Sequence, residues 1–207
     1  MVTIWGRASS SNVQKTLWFC EELRIPHKRI DAGGPFGGLD EPTFRNLNPN
    51  GKVPVLVDGD FSIFESHAIL RYLAGKTANS DELWPKDAKK RALCDQWMEW
   101  AHSALSSTMP ILVIGLLRTP PEQRDQNKIS AALEAANEAW AILDTHLASR
   151  PWLTGNTFTL GDIPVGVWAW RREQLPIEFK PFPKVEKWYH RLQERPAYKT
   201  VVMQPLS

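Results

Sequence analysis

In the first thirty residues the spacing of the apolar side chains changes from that of a strand to that of a helix and back, which predicts alternating strands and helices. Val2 to Gly6 has the pattern of a short strand. From Val13 to Leu23 the apolar residues recur at helical spacing, with Lys15 mostly outside the apolar stripe. Pro26 ends this helix, and His27–Asp31 is predicted as a second strand. Because a crossover helix joins the two strands, we expect them to pair in parallel.

The stretch from Asn48 to Leu73 predicts a β-hairpin followed by a helix. Val55-Leu56-Val57 is an apolar run, and the turn signal Asp58-Gly59-Asp60 separates it from a short alternating strand. Glu65-Ser66 then opens a segment of helical spacing. Before this stretch, a glycine-rich loop at 32–42 lacks the ending of a phosphate loop. A short helical turn at 43–47 connects that loop to the hairpin.

Beyond residue 87 the pattern becomes helical throughout. A long helix is predicted from Ala88 to about Leu117, with Pro110 as a candidate bend, and a second one from Glu122 to Ala148. The sequence Thr159-Leu160-Gly161-Asp162 resembles a capping box at the start of a third helix. A last helix is expected from Val185 to Gln193, stopped by Pro196. We therefore predict an α/β domain at residues 1–78 followed by an all-α domain at residues 86–207.

Composition narrows the class of protein. A formal net charge of +2 and the absence of a long basic run argue against a nucleic-acid partner, and we interpret Arg171-Arg172 as part of a solvated helix face. The two cysteines, Cys20 and Cys94, lie far apart and have no metal-ligand spacing, so we expect a reducing compartment and no metal. The apolar run from Ile111 to Leu117 is too short to span a membrane. The sequence thus favours a cytoplasmic protein with no membrane partner.

Two features of the hairpin stretch are unusual for plain scaffolding. Val53-Pro54 places a proline where a strand begins, which removes a backbone donor from the ladder. Glu65 and Ser66 place a carboxylate and a hydroxyl side by side at a helix start. We infer a binding site for a peptide-like ligand that carries a free amine and a free carboxylate.

The order of these elements resembles the cytosolic glutathione S-transferase family over essentially the whole chain. The most specific motifs are NPNGKVPVLVDGD followed by ESHAILRYL, and TLGDI near Thr159. The resemblance implies a thioredoxin-like βαβαββα domain followed by an all-helical domain. The opening residues IWGRASSSNVQK are similar to the serine-type bacterial, theta-like and phi-like branch.

The resemblance also implies roles for the binding residues. Val53-Pro54 would be a cis peptide, with the Val53 backbone pairing with the cysteinyl unit of glutathione. Glu65 would bind the γ-glutamyl ammonium, and Ser66 at a helix N-terminus the carboxylate. Lys52 is a candidate for the glycyl carboxylate, and a solvated turn lysine is an equally open interpretation.

Thiolate stabilisation is expected in the turn before the first helix. The serine-type pattern matches Ser10-Ser11-Asn12, so we assign the hydrogen bond to sulfur to Ser10 and a second donor to Asn12. Ser9 and Ser11 remain alternatives. Since Ser11 to Gln14 has the form of a capping box, Ser11 is expected to be the N-cap.

The predicted function is glutathione transfer to small hydrophobic electrophiles, with glutathione peroxidase activity as an addition. A glutathione-dependent disulfide reductase and a non-catalytic glutathione-binding or interaction protein are the alternatives. Glutathione is the co-substrate, and the resemblance implies a homodimer that joins the first domain of one subunit to the long helices of the other. Most tryptophans should pack in the core, while Trp100 and Trp168 are candidates for the electrophile pocket.

Overall fold

The computed structural model describes residues 1–206, and its first half contains a four-stranded mixed sheet. The strands are β1 (Val2–Trp5), β2 (His27–Ile30), β3 (Val55–Asp58) and β4 (Phe61–Phe64), in the order β2-β1-β3-β4. β1 pairs with β2 in parallel, as the crossover predicted, and β3 is antiparallel to both β1 and β4. The sheet thereby brings the end of β1 beside the start of β3.

Three helices complete this half in the predicted βαβαββα order. They are α1 (Ser11–Glu22), α2 (Pro42–Leu47) and α3 (Ser66–Lys76). The predicted domain boundary, between residues 78 and 86, falls in the segment that connects α3 to the first helix of the second half.

The second half is helical. It contains α4 (Ala88–Trp100), α5 (Ser106–Val113), α6 (Gln126–His146), α7 (Asp162–Gln174), α8 (Pro183–Gln193) and α9 (Pro196–Val201). A π-helical segment, Ala101–Leu105, joins α4 to α5, and a second one, Ile114–Arg118, extends α5, so that residues 88–118 form one continuous helical rod. Pro110 lies inside α5, between the two π-helical segments, and its missing backbone N–H leaves one α-helical hydrogen bond unmade. The bend at Pro110 stays a prediction.

The helix predicted at Val185–Gln193 ends before Pro196 as expected, but it is not the last helix. Pro196 occupies the first position of α9, where a proline N–H would have no intrahelical partner in any case. Tyr198 of α9 is buried and donates a hydrogen bond to the Gly166 carbonyl at 2.8 Å. This short helix packs against α1 and α8 and closes the core of the helical half.

α1 lies between the two halves of the molecule, and for this reason the expectation that one of its faces is exposed was wrong. It contacts α3 on one side and α7 and α9 on the other, so every residue from Val13 to Cys20 is buried. Lys15, predicted to lie outside the apolar stripe, is only 1% exposed. The sequence pattern of a single helix cannot reveal burial on two faces, because one neighbour comes from a different domain.

The Arg171-Arg172 pair, interpreted as solvated, is also buried. Arg171 is 3% exposed and Arg172 8%. Arg172 lies over the rings of Trp140, Phe179 and Phe182, where cation–π attraction offsets part of the lost hydration. Both arginines lie on α7, which is buried on nearly all sides.

The predicted capping motif before α7 is present. The Asp162 carboxylate accepts a hydrogen bond from the Thr159 backbone N–H at 3.0 Å, and Thr159 Oγ1 accepts one from the Gly161 N–H at 3.3 Å. Asp162 is fully buried and also accepts from the Leu153 N–H and the Trp188 indole. It therefore ties the start of α7 to the preceding loop and to α8.

The helical rod from Ala88 to Arg118 is long and apolar enough, by length and composition alone, to cross a membrane. The expectation of too short an apolar segment considered only residues 111–117, which are part of this longer rod. Leu105, Met109 and Leu112 on this rod are fully buried, and α5 packs against α6 and α7. These contacts place one face of the rod in the core of the helical half.

Candidate functional site

The turn that follows β1 is held in one position by contacts to three neighbouring segments. The Gly6 N–H donates to the Ile30 carbonyl at 2.8 Å, and the Arg7 N–H donates to the Ala32 carbonyl at 3.0 Å. Gly6 has a φ of +145°, and a Cβ there would lie 2.4 Å from a Val13 methyl. Only glycine allows α1 to approach the end of β1 this closely.

Ser10, and not Ser11, is the N-cap of α1. Ser10 has an extended backbone and its carbonyl accepts the first helical hydrogen bond, from the Gln14 N–H at 2.9 Å. The predicted capping box at Ser11 is absent, because the Gln14 side chain bonds the Val201 carbonyl and Arg171 instead. The Ser10 hydroxyl makes no capping hydrogen bond at the N-terminus of this twelve-residue helix. Ser10 is 9% exposed, and with Ser9 and Ser11 it lines a small cavity of about 100 Å³, whereas only Ser11 of these three serines lines the larger cavity described below.

Asn12 lies in the first turn of α1, and a buried lysine fixes the orientation of its amide. Lys15 Nζ donates to Asn12 Oδ1 at 2.9 Å. An amine donates this hydrogen bond whether it is charged or neutral, so the amide oxygen faces Lys15 in both states. The Asn12 NH₂ group therefore faces away from Lys15, and Asn12 lines the cleft between the two halves.

His67 connects this lysine to α4. Its Nε2 lies 3.3 Å from Lys15 Nζ, and its Nδ1 lies 3.7 Å from Glu99 Oε1. Burial, followed by the charges of Lys15, Arg71 and His102, lowers the pKa of His67 to about 2. The ring is therefore neutral, and the donor from Lys15 places its single proton on Nδ1, toward Glu99.

Burial also lowers the pKa of Lys15 to about 7, with Arg171 acting in the same direction and Glu65 and Glu99 opposing it. A buried ammonium loses its hydration, and the hydrogen bonds to Asn12 and His67 replace only part of it. Lys15 thus connects α1 to α3 through His67, and His67 in turn faces Glu99 of α4. With a pKa of about 7, the Lys15 amine changes charge near neutral pH.

The N-terminus of α3 forms the opposite wall of the site. Ser66 is the first helical residue and is buried, whereas Glu65 is exposed and precedes it as the N-cap. Glu65 has a φ of +72°, a left-handed conformation that is costly for a side chain of this length. Such strain is typical of positions whose side chain serves a ligand.

A single cavity of about 520 Å³ brings these groups together. Ser11 and Asn12 line it from α1, and Glu65 and Ser66 from α3, while His102, Ser106 and Pro110 face them from the helical rod. The cavity thus combines the carboxylates of Glu65 and Glu99, the Arg71 guanidinium, two helix N-termini and the Asn12 amide. That set of groups is complementary to a ligand with both an ammonium and a carboxylate.

Val53-Pro54 is a cis peptide bond. Val53 lies outside β3, whose pairing with β1 begins at Val55, and its backbone makes no hydrogen bond to the described part of the chain. Lys52 is exposed and lines neither cavity of the cleft, while its carbonyl accepts a hydrogen bond from Asn48 at 2.7 Å. The roles assigned to Val53, Pro54 and Lys52 in binding stay predictions.

The two tryptophans predicted for the electrophile pocket have different positions. Trp168 lines the large cavity and a smaller one beside it. Trp100 lines neither, and packs edge-to-face against Trp97 with ring centroids 5.2 Å apart. The structure therefore does not bring Trp100 to the cleft, because that residue lies on another side of α4.

The cysteines do not contribute to the site. Cys20 and Cys94 are free and buried, and burial raises the pKa of Cys20 to about 12. Within residues 1–206 no cluster of three or more His, Cys, Asp or Glu side chains could hold a metal ion. Any thiol chemistry in this cleft therefore uses a thiol that the ligand provides.

Sequence reasoning missed the residues that support the site from behind. Four helices, α1, α3, α4 and α7, bring together Lys15, His67, Glu99 and Arg171. The one available signal was the spacing of Asn12 and Lys15, which places both on one helix face.

The whole chain matches known families and proteins. The family described as glutathione S-transferase, N-terminal domain, matches residues 9–76, and glutathione S-transferase, C-terminal domain, matches residues 93–196. The chain is 40% identical to glutathione S-transferase GstB of Escherichia coli K12, covering 100% of both chains. It is 30% identical to the disulfide-bond oxidoreductase YfcG of the same strain, covering 92% of this chain and 89% of that one.

Solved structures have the same fold. The theta class glutathione S-transferase of Xanthomonas axonopodis pv. citri, determined with glutathione bound, superposes with a TM-score of 0.95. It is 44% identical and covers 100% of this chain and 99% of its own. Its apo form superposes with a TM-score of 0.87, covering 100% of this chain and 98% of that one, at 39% identity.

Proposed function

Because this chain belongs to the glutathione S-transferase family, we propose that it binds glutathione in the large cavity and transfers the thiolate to an electrophilic carbon. One observation carries the proposal: a single cavity joins Ser11 and Asn12 at the start of α1 to Glu65 and Ser66 at the start of α3. This pairing supplies donors for a sulfur at one end and groups for an amino acid terminus at the other.

The binding roles follow from the charges. Glu65 attracts the γ-glutamyl ammonium, and the Ser66 hydroxyl with the α3 N-terminus binds the γ-glutamyl carboxylate. The relative from Xanthomonas axonopodis was solved with glutathione bound, which supports the same ligand here. Val53 and Lys52 are proposed to bind the rest of the tripeptide.

The chemical step depends on the thiolate. A free thiol with a pKa of about 8.5 is mostly protonated at neutral pH. We propose that the thiolate lies at Ser11, where the small cavity lined by Ser10 meets the large cavity lined by Asn12, and accepts hydrogen bonds from the Ser10 hydroxyl and the Asn12 NH₂ group. The α1 N-terminus adds its partial positive charge. The thiolate then attacks the electrophile directly, so neither serine acts as a nucleophile.

Glutathione binding and turnover can be tested together. We expect calorimetry to detect glutathione binding, and Ser66→Ala to weaken it about tenfold or more because a hydrogen bond to a charged group is lost. Ser103→Ala is the matched control, since the Ser103 hydroxyl is exposed and bonds only the Trp100 carbonyl of its own helix. Wild-type affinity in the Ser66→Ala protein would contradict this binding mode.

A disulfide reductase remains the second candidate, supported by the identity to YfcG and by the Asn12 amide facing the cleft. No protein cysteine reaches the site, so a second glutathione would have to supply the attacking thiol. Assays with 1-chloro-2,4-dinitrobenzene, cumene hydroperoxide and a glutathione mixed disulfide separate transferase, peroxidase and reductase. Binding without turnover of any of the three would indicate a non-catalytic glutathione-binding protein.

The family further supports a cytoplasmic homodimer whose role is the removal of toxic electrophiles. Dimer contacts are proposed between the sheet domain of one subunit and the long helices of the other. No nucleic acid, metal or membrane is required for the proposed reaction.

A further inference from the structure

The Asn12 side chain, which would donate to the sulfur from α1, is held by a single contact. Asn12 is exposed and lines the large cavity. Within residues 1–206 its side chain has one hydrogen-bond partner, the Lys15 amine, which lies 2.9 Å from Oδ1. Asn12 and Lys15 are three residues apart and therefore lie on the same face of α1. The orientation of the Asn12 amide thus depends on Lys15.

Lys15 itself has little freedom to move. It is 1% exposed, because α1 packs against α3 on one side and α7 on the other. Its amine lies 2.9 Å from Asn12 Oδ1 and 3.3 Å from His67 Nε2. A neutral amine has two N–H donors, which these two acceptors use, and an ammonium has one more. Lys15 therefore holds Asn12 in either charge state.

His67 supplies the acceptor on the other side of the amine. It is 8% exposed and follows Ser66 directly in the first turn of α3. Burial and the nearby cations, Lys15 first among them, lower the pKa of His67 to about 2, so the ring is neutral and Nε2 accepts from the amine. A chain of hydrogen bonds thus connects the start of α3 to Asn12.

The other charged groups near Lys15 do not take the place of Asn12. Burial lowers the pKa of Lys15, Arg171 lowers it further, and Glu65 and Glu99 raise it. In the described part of the chain neither carboxylate forms an ion pair with the amine, and Glu99 pairs with Arg71 instead. Hydrogen bonds therefore orient the amine toward Asn12.

From this arrangement we propose that Lys15, held by His67, is a positioning residue: it binds the Asn12 carbonyl oxygen, so that the NH₂ group faces the thiolate. The inference rests on the proposed function, which places the thiolate within reach of the Asn12 amide. A carbonyl oxygen turned toward the thiolate would repel it, and a freely rotating amide would have to be ordered when the thiolate forms. Lys15 orders the amide before glutathione binds, without touching the substrate.

The first test uses Lys15→Met, whose side chain fills much of the same space but has no donor. We expect the pKa of the bound glutathione thiol, measured by thiolate absorbance against pH, to rise by about half a unit to one unit. Below that pKa, kcat should fall about three- to tenfold, because less of the thiol is ionised. A thiol pKa equal to that of the wild type would overturn the inference.

Two double variants separate positioning from the loss of a positive charge. If Lys15 acts through Asn12, Lys15→Met should not raise the thiol pKa further in the Asn12→Ala protein. In the Ser10→Ala protein it should keep its full effect, because Lys15 does not hold the Ser10 side chain. An equal rise with and without the Asn12 amide would show a direct effect of the charge, and would overturn the inference.

S-methylglutathione distinguishes positioning from general damage to the site. Its sulfur carries no proton and forms no thiolate, so its affinity reports on the rest of the binding site. Calorimetry should give the same affinity in the wild type and in Lys15→Met. Weaker binding of S-methylglutathione by Lys15→Met would mean that Lys15 supports the whole site, and would contradict a role confined to Asn12.

Lys128→Met is the matched control. Lys128 is exposed on α6, and its substitution changes the net charge by the same amount as Lys15→Met. The bound thiol of this variant should have the pKa of the wild type. A rise equal to that of Lys15→Met would mean that overall charge sets the thiol pKa, and would overturn the inference.

A pair of substitutions at His67 provides a second test that leaves Lys15 in place. Glutamine has an acceptor oxygen as many bonds from the backbone as Nε2 of histidine, whereas leucine has no acceptor. We expect His67→Leu to raise the thiol pKa and His67→Gln to keep the wild-type value. Equal thiol pKa values in the two variants would contradict the role of His67 in holding Lys15.

Failure of the inference and failure of the proposed function give different results. If glutathione binds but Asn12→Ala leaves the thiol pKa unchanged, Asn12 is not a donor to the sulfur, which overturns the inference and leaves glutathione binding intact. If neither glutathione nor S-methylglutathione binds to the wild type, the proposed function itself is wrong.

Discussion

Among single residues, Ser10 and Asn12 differ in how they are held. Asn12 is fixed by Lys15, whereas the Ser10 hydroxyl makes no capping bond and is free to turn toward a ligand. A donor that is already fixed loses little conformational entropy when it binds the thiolate, and a hydroxyl that can rotate adapts to the position of the sulfur. The two side chains therefore supply complementary donors.

We expect Ser10→Ala to raise the pKa of the bound glutathione thiol by about one unit, which corresponds to about 1.4 kcal/mol of lost preference for the thiolate. Ultraviolet absorbance of the thiolate against pH measures this shift, and kcat should fall while glutathione affinity changes little. Asn12→Ala should act in the same direction. Full activity in Ser10→Ala with loss in Ser11→Ala or Asn12→Ala would show that Ser10 is not the main donor.

Lys15 should give the fold a distinct pH dependence. Its pKa is about 7 in the folded protein and 10.5 by its ordinary value, so the unfolded chain binds more protons between these limits. The contribution of Lys15 to the free energy of unfolding therefore rises as pH increases from 7, and below pH 7 the penalty of burying the ammonium is complete.

Urea unfolding of the wild type and Lys15→Met at pH 6, 7, 8 and 9 tests this. Stability of the wild type relative to Lys15→Met should increase from pH 6 to 9 by on the order of 2 kcal/mol. Lys128→Met, at an exposed position on α6, is the control and should show no such trend. A constant difference between wild type and Lys15→Met across the range would mean that Lys15 keeps an ordinary pKa.

Among the helices, α1 and α7 cross at very short range. A Cβ on Gly166 would lie 2.8 Å from the Trp18 ring, and Trp18 also contacts Phe158 and Tyr198. Trp18 donates to Glu22 at 2.7 Å, and Glu22 holds Arg195 in a bidentate pair at 2.7 and 2.8 Å. This contact sets the distance between the two halves and hence the width of the cleft.

We expect Gly166→Ala to reduce the free energy of unfolding by about 1–3 kcal/mol, because the buried Trp18 ring has no space to move. Gly75→Ala is the control on α3, where an added Cβ meets nothing within 4 Å. That substitution should leave stability unchanged or raise it by about 0.5–1 kcal/mol. Urea unfolding measures both, and equal stability of the two variants would contradict the close approach of α1 and α7.

For the whole molecule, exposed apolar side chains on both domains favour association. Phe61 on β4 and Leu93 on α4 are each 43% exposed. The proposed homodimer joins the sheet domain of one subunit to the long helices of the other, which would cover both residues. Burying them removes apolar surface from water and stabilises the pair.

Light scattering should give a mass of about twice the 23.6 kDa of one chain. Phe61→Glu and Leu93→Glu should each shift the protein toward the monomer, because a charge would be buried without a partner. Lys187→Glu is the control, since Lys187 is exposed on α8, which is not one of the two long helices. A wild-type monomer, or an equal effect of all three substitutions, would contradict the proposed interface.

The local patterns of the sequence predicted most of the fold. Three kinds of feature depend only on residues close together in the chain: the strand and helix periods, the Asp58-Gly59-Asp60 turn and the capping motif at Thr159. They can therefore be predicted from short segments of sequence. The start of α1 was misplaced by one residue, because the Gln14 side chain binds residues distant in sequence instead of capping its own helix.

By itself, the sequence determined the order of elements, the two halves and the positions of Ser10, Asn12, Glu65 and Ser66 at helix starts. Only the tertiary structure decided what lies behind and beside them. Lys15 is buried because α1 packs between two domains, and Arg7, Arg118 and Arg171 meet although they come from distant parts of the chain. The order of charges along the chain does not predict which of them become neighbours, because electrostatic forces depend on distance in space and not on separation in sequence.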